Sequence, residues 1–202
     1  MKTRKLSLFS CSSILLISAV VFSDCKYNSI ALAQQSIIQL SQVELEKAIE
    51  FYNKGNDSLK LGQYQEAITN YTQAIRLKPD FAEAYHNRGV SYNGLKQYQE
   101  AIVNYNQAIK LNPNLAKAYV NRGAAYNYLK QYQKAIADYN QAIKLNPDYA
   151  DAYANRGIAY YFLGQKQPAI QNMQKAVNLF QQQGDKDRYQ TAQVMIEIMQ
   201  SE

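Results

Sequence analysis

Residues 82–115 read AEAYHNRGVSYNGLKQYQEAIVNYNQAIKLNPNL, and residues 116–149 read AKAYVNRGAAYNYLKQYQKAIADYNQAIKLNPDY. The second stretch is the first displaced by 34 residues, and the same step carries Pro79 to Pro113 and Pro147, and Gly55 to Gly89, Gly123 and Gly157. A fixed period in this range marks a stacked array, because each unit has an apolar face that only its neighbour covers. Function is therefore expected on the surface of the array and not in an enclosed pocket.

Within the unit, Ala82, Tyr85, Gly89 and Tyr92 share one face of a first helix, and Ala101, Tyr105, Ala108 and Ile109 one face of a second. The second helix ends before Pro113, whose ring disfavours helical geometry in the residue ahead of it. A mid-helix glycine costs about 1 kcal/mol against alanine. Four in one register therefore call for close packing, expected against the small Ala67, Ala101, Ala135 and Ala169 of the second helices. Of 18 tyrosines, 12 fall in four registers, which makes the tyrosine excess architectural: Tyr85, Tyr119, Tyr153; Tyr92, Tyr126, Tyr160; Tyr64, Tyr98, Tyr132; Tyr71, Tyr105, Tyr139.

On these residues the chain resembles the tetratricopeptide repeats, whose pattern appears as Tyr85, Gly89, Tyr92, Ala101, Tyr105, Ala108 and Pro113, and again as Tyr119, Gly123, Tyr126, Ala135, Tyr139, Ala142 and Pro147. The resemblance implies an all-α fold, a right-handed α-solenoid of four helix-turn-helix units (48–81, 82–115, 116–149, 150–183) closed by a C-terminal capping helix within 184–202. Lys54, Arg88, Arg122 and Arg156 replace the family's leucine before the glycine. The end units depart at Ser58, Met173 and Gln181, as end units of an array do. Gly184 and Asp185 are the expected stop and start around the capping helix, with Tyr189, Ala192, Met195, Ile196 and Met199 on its inner stripe. Ser41 and Glu44 have capping-box spacing, which places the first helix start near Gln42 at the end of an N-terminal segment, 34–47.

Residues 1–33 are of another kind. Lys2, Arg4 and Lys5 precede the apolar run Ile14 to Phe22, and Ala31-Leu32-Ala33 fits a signal-peptidase site, so cleavage is expected before Gln34. The mature chain would then lie outside the cytoplasm: periplasmic, secreted or in a thylakoid-lumen-like compartment. An uncleaved leader would instead anchor the chain, the sole membrane association expected, and lipidation at Cys25 is disfavoured by Asp24. Without the leader the chain has no cysteine, and 18 basic against 15 acidic residues give a net charge of +3, an ordinary mixed surface.

Nothing in the sequence assembles chemistry. His86 is the lone histidine, metal-spaced clusters are missing, and no glycine follows a strand pattern, so no enzyme activity, metal or cofactor is expected. By register with the family, whose first helices line the concave face, the partner-binding groove comprises Tyr52, Asn56, Leu59, His86, Val90, Asn93, Lys117, Val120, Ala124, Asn127, Tyr128, Ala154, Ile158, Tyr161 and Phe162. That surface is mostly neutral, polar in the middle and apolar towards its C-terminal end, which suits an extended peptide or a partner helix. Tyr128, Ile158, Tyr161 and Phe162 are the expected anchors, unless Tyr161 and Phe162 pack beneath the terminal helix.

Two polar ladders run beside the groove. Asn87, Asn121 and Asn155 either bond neighbouring helices or meet ligand backbone. Arg88, Arg122 and Arg156 either hold acidic partner groups or pack by their stems in place of leucine while their heads reach solvent or neighbouring acids. Some family members grip the C-terminal carboxylates of cytosolic chaperones with lysine and asparagine. Here Asn56 and Lys117 match loosely, but Tyr52 and His86 stand where a lysine would be needed, which together with the export signal argues against that ligand. The reading is a non-catalytic protein-interaction adaptor or scaffold. An RNA-binding helical array is the alternative, disfavoured by the modest charge and the leader, and no nucleic acid is expected.

Overall fold

The computed structural model describes residues 34–35 and 39–201; the leader with its proposed cleavage site, Cys11 and Cys25 lie outside them. The described residues hold helices and no strand. These are α1 (39–60), α2 (Tyr64–Leu77), α3 (Ala82–Gly94), α4 (Tyr98–Leu111), α5 (Ala116–Tyr128), α6 (Tyr132–Leu145), α7 (Ala150–Phe162), α8 (Lys166–Gln182) and α9 (Lys186–Ser201). Two units divide the chain, residues 1–46 and 47–202, and the array belongs to the second. There each helix from α2 to α9 packs on the next, and first helices of successive units also touch, α3 with α5 and α5 with α7. The fold is an α-solenoid in which the first helices α3, α5 and α7 follow one another along one side of the array.

Helix boundaries follow from local chemistry. The N–H groups of Lys78, Asn112 and Asn146 bond back to Ala74, Ala108 and Ala142, and the backbone of all three has left the helical region, extended at Asn112 and Asn146, as the prolines that follow require. Where Gln181 replaces that proline, α8 runs 17 residues against 14 in α2, α4 and α6. Gly184, at φ +72, then closes α8, and Asp185 caps α9 by accepting from the N–H of Arg188 at 3.1 Å. The N-terminal cap is a correction: residues 39–41 are already helical, so Ser41 lies inside α1, where Leu40, Ser41 and Gln42 contain no helix breaker.

The glycine register is a second correction. A Cβ on Gly55, Gly89 or Gly123 would meet Cε1 of Tyr71, Tyr105 or Tyr139 at 2.6, 2.7 and 2.6 Å, so these glycines accept a tyrosine ring and not a small alanine. The three rings are wholly buried. Only in the last unit, where Met173 replaces the tyrosine, does the glycine meet the expected alanine: Gly157 faces the carbonyl oxygen of Ala169 at 3.0 Å. Alanines at Ala67, Ala101, Ala135 and Ala169 are fully buried in all four units and let second helices sit close to their neighbours.

Candidate functional site: a cleft on the first-helix face

A cleft of ≈ 390 Å³ opens between α5 and α7, lined by Ala124, Asn127, Tyr128, Lys130, Tyr132, Asn155, Ile158 and Phe162. Its two rims are aromatic pairs one period apart. Tyr128 stacks on Tyr98 with ring centres 4.7 Å apart, and Phe162 on Tyr132 at 5.3 Å. Despite these contacts Tyr128 and Phe162 remain 63% and 59% exposed. One period earlier Gly94 stands in the register of Tyr128, and the ring of Tyr64 lies against its backbone. The aromatic shelf therefore begins only in the third unit. On the cleft floor Asn127 donates to the Tyr139 hydroxyl at 3.1 Å and to the Asn155 carbonyl at 3.3 Å. The Asn127 side-chain oxygen and that of Asn93, one period earlier, are enclosed without a hydrogen-bond partner.

Towards the N-terminal end the same face is filled by its own side chains. Tyr71 donates its hydroxyl to Asn56 Oδ1 (2.8 Å), and Asn87 Nδ2 donates to the same oxygen (2.8 Å) and to the Tyr52 hydroxyl (3.1 Å). Asn87 Oδ1 lies 2.8 Å from His86 Nδ1, and Asn121 Nδ2 lies 2.9 Å from His86 Nε2. Since Asn121 offers a donor, Nε2 is the acceptor and the ring carries its proton on Nδ1, donated to Asn87. One continuous chain of hydrogen bonds thus links three successive units. His86 is 5% exposed, and burial, countered in part by the bond to Asn87 and reinforced by the charge of Lys117, pushes it down to about 4.

Comparison with known proteins agrees with this architecture. Models described as TPR repeat match residues 55–96 and 123–164, and models described as tetratricopeptide repeat match 82–115, 104–137 and 150–183. Among solved structures, the chain is similar to the first TPR of Spaghetti (RPAP3) bound to the HSP90 peptide SRMEEVD: 32% identity, covering 59% of this chain and 95% of that one, with a TM-score of 0.58. The Arabidopsis OM64 TPR domain aligns at 30% identity over 58% and 98%, also at 0.58. MamA 41-end from Desulfovibrio magneticus RS-1 aligns at 26% over 77% and 94%, at 0.63. The chain belongs to the tetratricopeptide repeat family. No curated protein matches it.

For a tetratricopeptide repeat, several of the residues assigned to the groove sit elsewhere. Val120 is 4% exposed, packed with Ala135, Tyr139 and Ala152, because its register points between helices; it is corrected from groove to core. His86, in the same register, is likewise interior. Tyr52 packs its ring on Phe81 at 4.7 Å, and Val90 packs against the Ala101, Ile102 and Tyr105 cluster. Asn56, Asn87 and Asn121 are engaged in the hydrogen-bond chain, whereas Asn155 lines the cleft. Ala124, Asn127, Tyr128, Ile158 and Phe162 are brought together there. Tyr161 instead packs against the core between α7, α8 and α9, edge-on to Phe162 at 5.7 Å, whereas Phe162 stays exposed and shares a shallow hollow with Met199 of α9.

The arginine ladder makes its hydrogen bonds within the array. Each guanidinium reaches two second helices, its own unit's and the preceding one's. Arg88 donates to Asn104 (2.7 Å) and Thr72 (3.0 Å), and Arg156 to Asn172 (2.8 Å) and Asn140 (2.6 Å). Arg122 donates to Asn106 (2.6 Å) and grips both oxygens of Asp138 at 2.8 and 2.6 Å. Each also lies over a tyrosine of its own helix: Tyr85, Tyr119 and Tyr153, at 5.4, 5.6 and 5.3 Å. Burial opposes the charge on Arg122, and the hydrogen bond and charge of Asp138 outweigh it. The acceptors Asn104, Asp138 and Asn172, with Thr72, Asn106 and Asn140, were not singled out from sequence. Their signal was present as two further polar registers keeping the 34-residue step.

Proposed function

We propose that the chain is a non-catalytic adaptor that holds a peptide or partner helix on its first-helix face, centred on the cleft between α5 and α7. The observation that carries this reading is the pair of exposed aromatic rims, Tyr128 and Phe162, around an apolar hollow floored by Asn127 and Asn155. Aromatic anchors beside amides that satisfy a ligand backbone are what a peptide-binding surface requires. Support comes from a similar structure, the first TPR of Spaghetti, which is bound to a peptide. Among the described residues no group of His, Cys, Asp or Glu is arranged to hold a metal ion. The chaperone-tail ligand of that relative is not carried over, because Tyr52, Asn56 and Asn87 bond one another in place of a free cationic clamp.

The site of action proposed is outside the cytoplasm, on the strength of the leader at residues 1–33. The test uses the full chain as bait in an envelope extract, beside a Tyr128→Ser, Phe162→Ser variant. Each captured protein is then purified and its affinity for both baits measured. Partners held equally by the two baits would refute the cleft assignment. Mass spectrometry of the protein recovered from cells would test the start at Gln34.

A further inference from the structure

Lys130 is the one charged residue among those lining the cleft. It has φ 58, in the left-handed region, at the residue that turns α5 into α6. The equivalent residues are Gly62 (φ +71), Lys96 (φ 59) and Gly164 (φ +72). Two units of four place glycine there, so this backbone conformation is available without strain, and a lysine is strained in it. No carboxylate of the described residues pairs with Lys130.

The surroundings are also short of acid. Residues 101–184 carry nine Lys or Arg against three Asp, whereas residues 47–100 carry seven against six. Two of those three are taken: Asp138 is held by Arg122 and Asp151 by Arg188. The amines of Lys134 and Lys166, which do not line the cleft, bond the neutral side chain of Gln131 and the carbonyl of Gln200. The C-terminal half of the array, read from sequence as ending in an uncharged groove, thus sets an unneutralised cation at the mouth of an apolar cleft.

We infer that the cleft between α5 and α7 takes an apolar side chain of an acidic peptide segment, with Lys130 as the residue that selects for the flanking carboxylates. The inference rests on the adaptor reading above and adds the partner's chemistry. The occupant is a peptide and not a nucleic acid, because a phosphate backbone is tracked by a row of cations with open stacking faces. Here one cation stands beside a hollow of side-chain size.

The test is fluorescence anisotropy on the full chain with short labelled peptides: one rich in Asp and Glu around a Leu-Phe centre, one with those acids replaced by Lys, and one acidic with a Gly-Ser centre. A single-stranded RNA oligonucleotide is the fourth probe. The expected result is binding of the acidic Leu-Phe peptide above the other three, weakened by salt. Lys130→Gly should weaken it by about two- to fivefold, the range for one exposed charge pair, while raising the thermal midpoint by releasing the left-handed lysine. Lys130→Gln should weaken it similarly without that rise. Equal binding of the acidic and basic peptides, or no effect of either Lys130 variant, overturns the charge selection and leaves the cleft standing. Equal binding of the Gly-Ser peptide, or indifference to the cleft-filling Ala124→Leu, refutes the cleft itself. Tighter binding of the RNA, or no binding of the acidic peptide, overturns the inference outright.

Discussion

Lowering the pH should loosen this array through one side chain. His86 is the single histidine of the chain, 5% exposed, and sits near 4 in the folded protein against the ordinary 6.5. Because the folded value lies below the unfolded one, the unfolded chain takes up the proton first, so stability is whole above about 6.5 and falls as the pH drops towards 4. Integrating between about pH 7.5 and 5 gives a loss of about 2 kcal/mol, rising to about 3 kcal/mol once both states are protonated. The structural cost is visible: a protonated ring presents N–H on Nε2 to the Asn121 amide, donor against donor, with the Lys117 charge nearby. Urea unfolding at a series of pH values would show the midpoint falling at constant slope. His86→Gln should abolish that decline above about pH 5, since ordinary carboxylates titrate below it and Asp138, raised by burial, acts in the opposite sense, its contribution being lost as the pH rises. A wild-type midpoint flat down to pH 5, or the same decline in His86→Gln, would refute the reasoning.

The remaining predictions are read by the same unfolding measurement. Arg122→Ala should cost about 3–5 kcal/mol because it strands the enclosed Asp138 carboxylate, and adding Asp138→Asn should recover part of it; Arg88→Ala, whose partners Asn104 and Thr72 are neutral, should cost less. Gly89→Ala drives a methyl into the Tyr105 ring, so overpacking of about 1–3 kcal/mol should outweigh the helix-propensity gain of about 1 kcal/mol, whereas Gly157→Ala, with nothing nearer than 3.0 Å, should be milder. Tyr71→Phe removes a hydrogen bond to Asn56 and should cost about 1 kcal/mol. Tyr105→Phe should be neutral or stabilising, since that buried hydroxyl has no partner.

The architecture was legible because it is periodic. Proline fixes where each second helix ends, and its loss at Gln181 lengthens α8 as that logic requires. The partner of the glycines was not legible from spacing, because Ala101 and Tyr105 share one helix face and only distances show which of them meets Gly89. On the candidate site, Ala124, Asn127, Tyr128, Ile158 and Phe162 followed from register, but Val120 and His86 lie a fraction of a turn away, enough to carry them from surface to interior. Lys130 was missed because it belongs to the turn and not to a helix face.

The arginine bridges bear on how such a chain could grow. Each links residue n to acceptors at n + 16 and n − 16, one in its own unit and one in the unit before. A duplicated middle unit would arrive with its arginine and both acceptors already in phase, and would leave its neighbours' bridges intact. The two ends differ from the middle: Lys54, in the arginine register, bonds Glu50 of its own helix, and α8 runs past the point where a proline would admit another unit. Elongation by internal duplication is therefore written into the polar contacts as well as the packing, and termination into the departures at the ends.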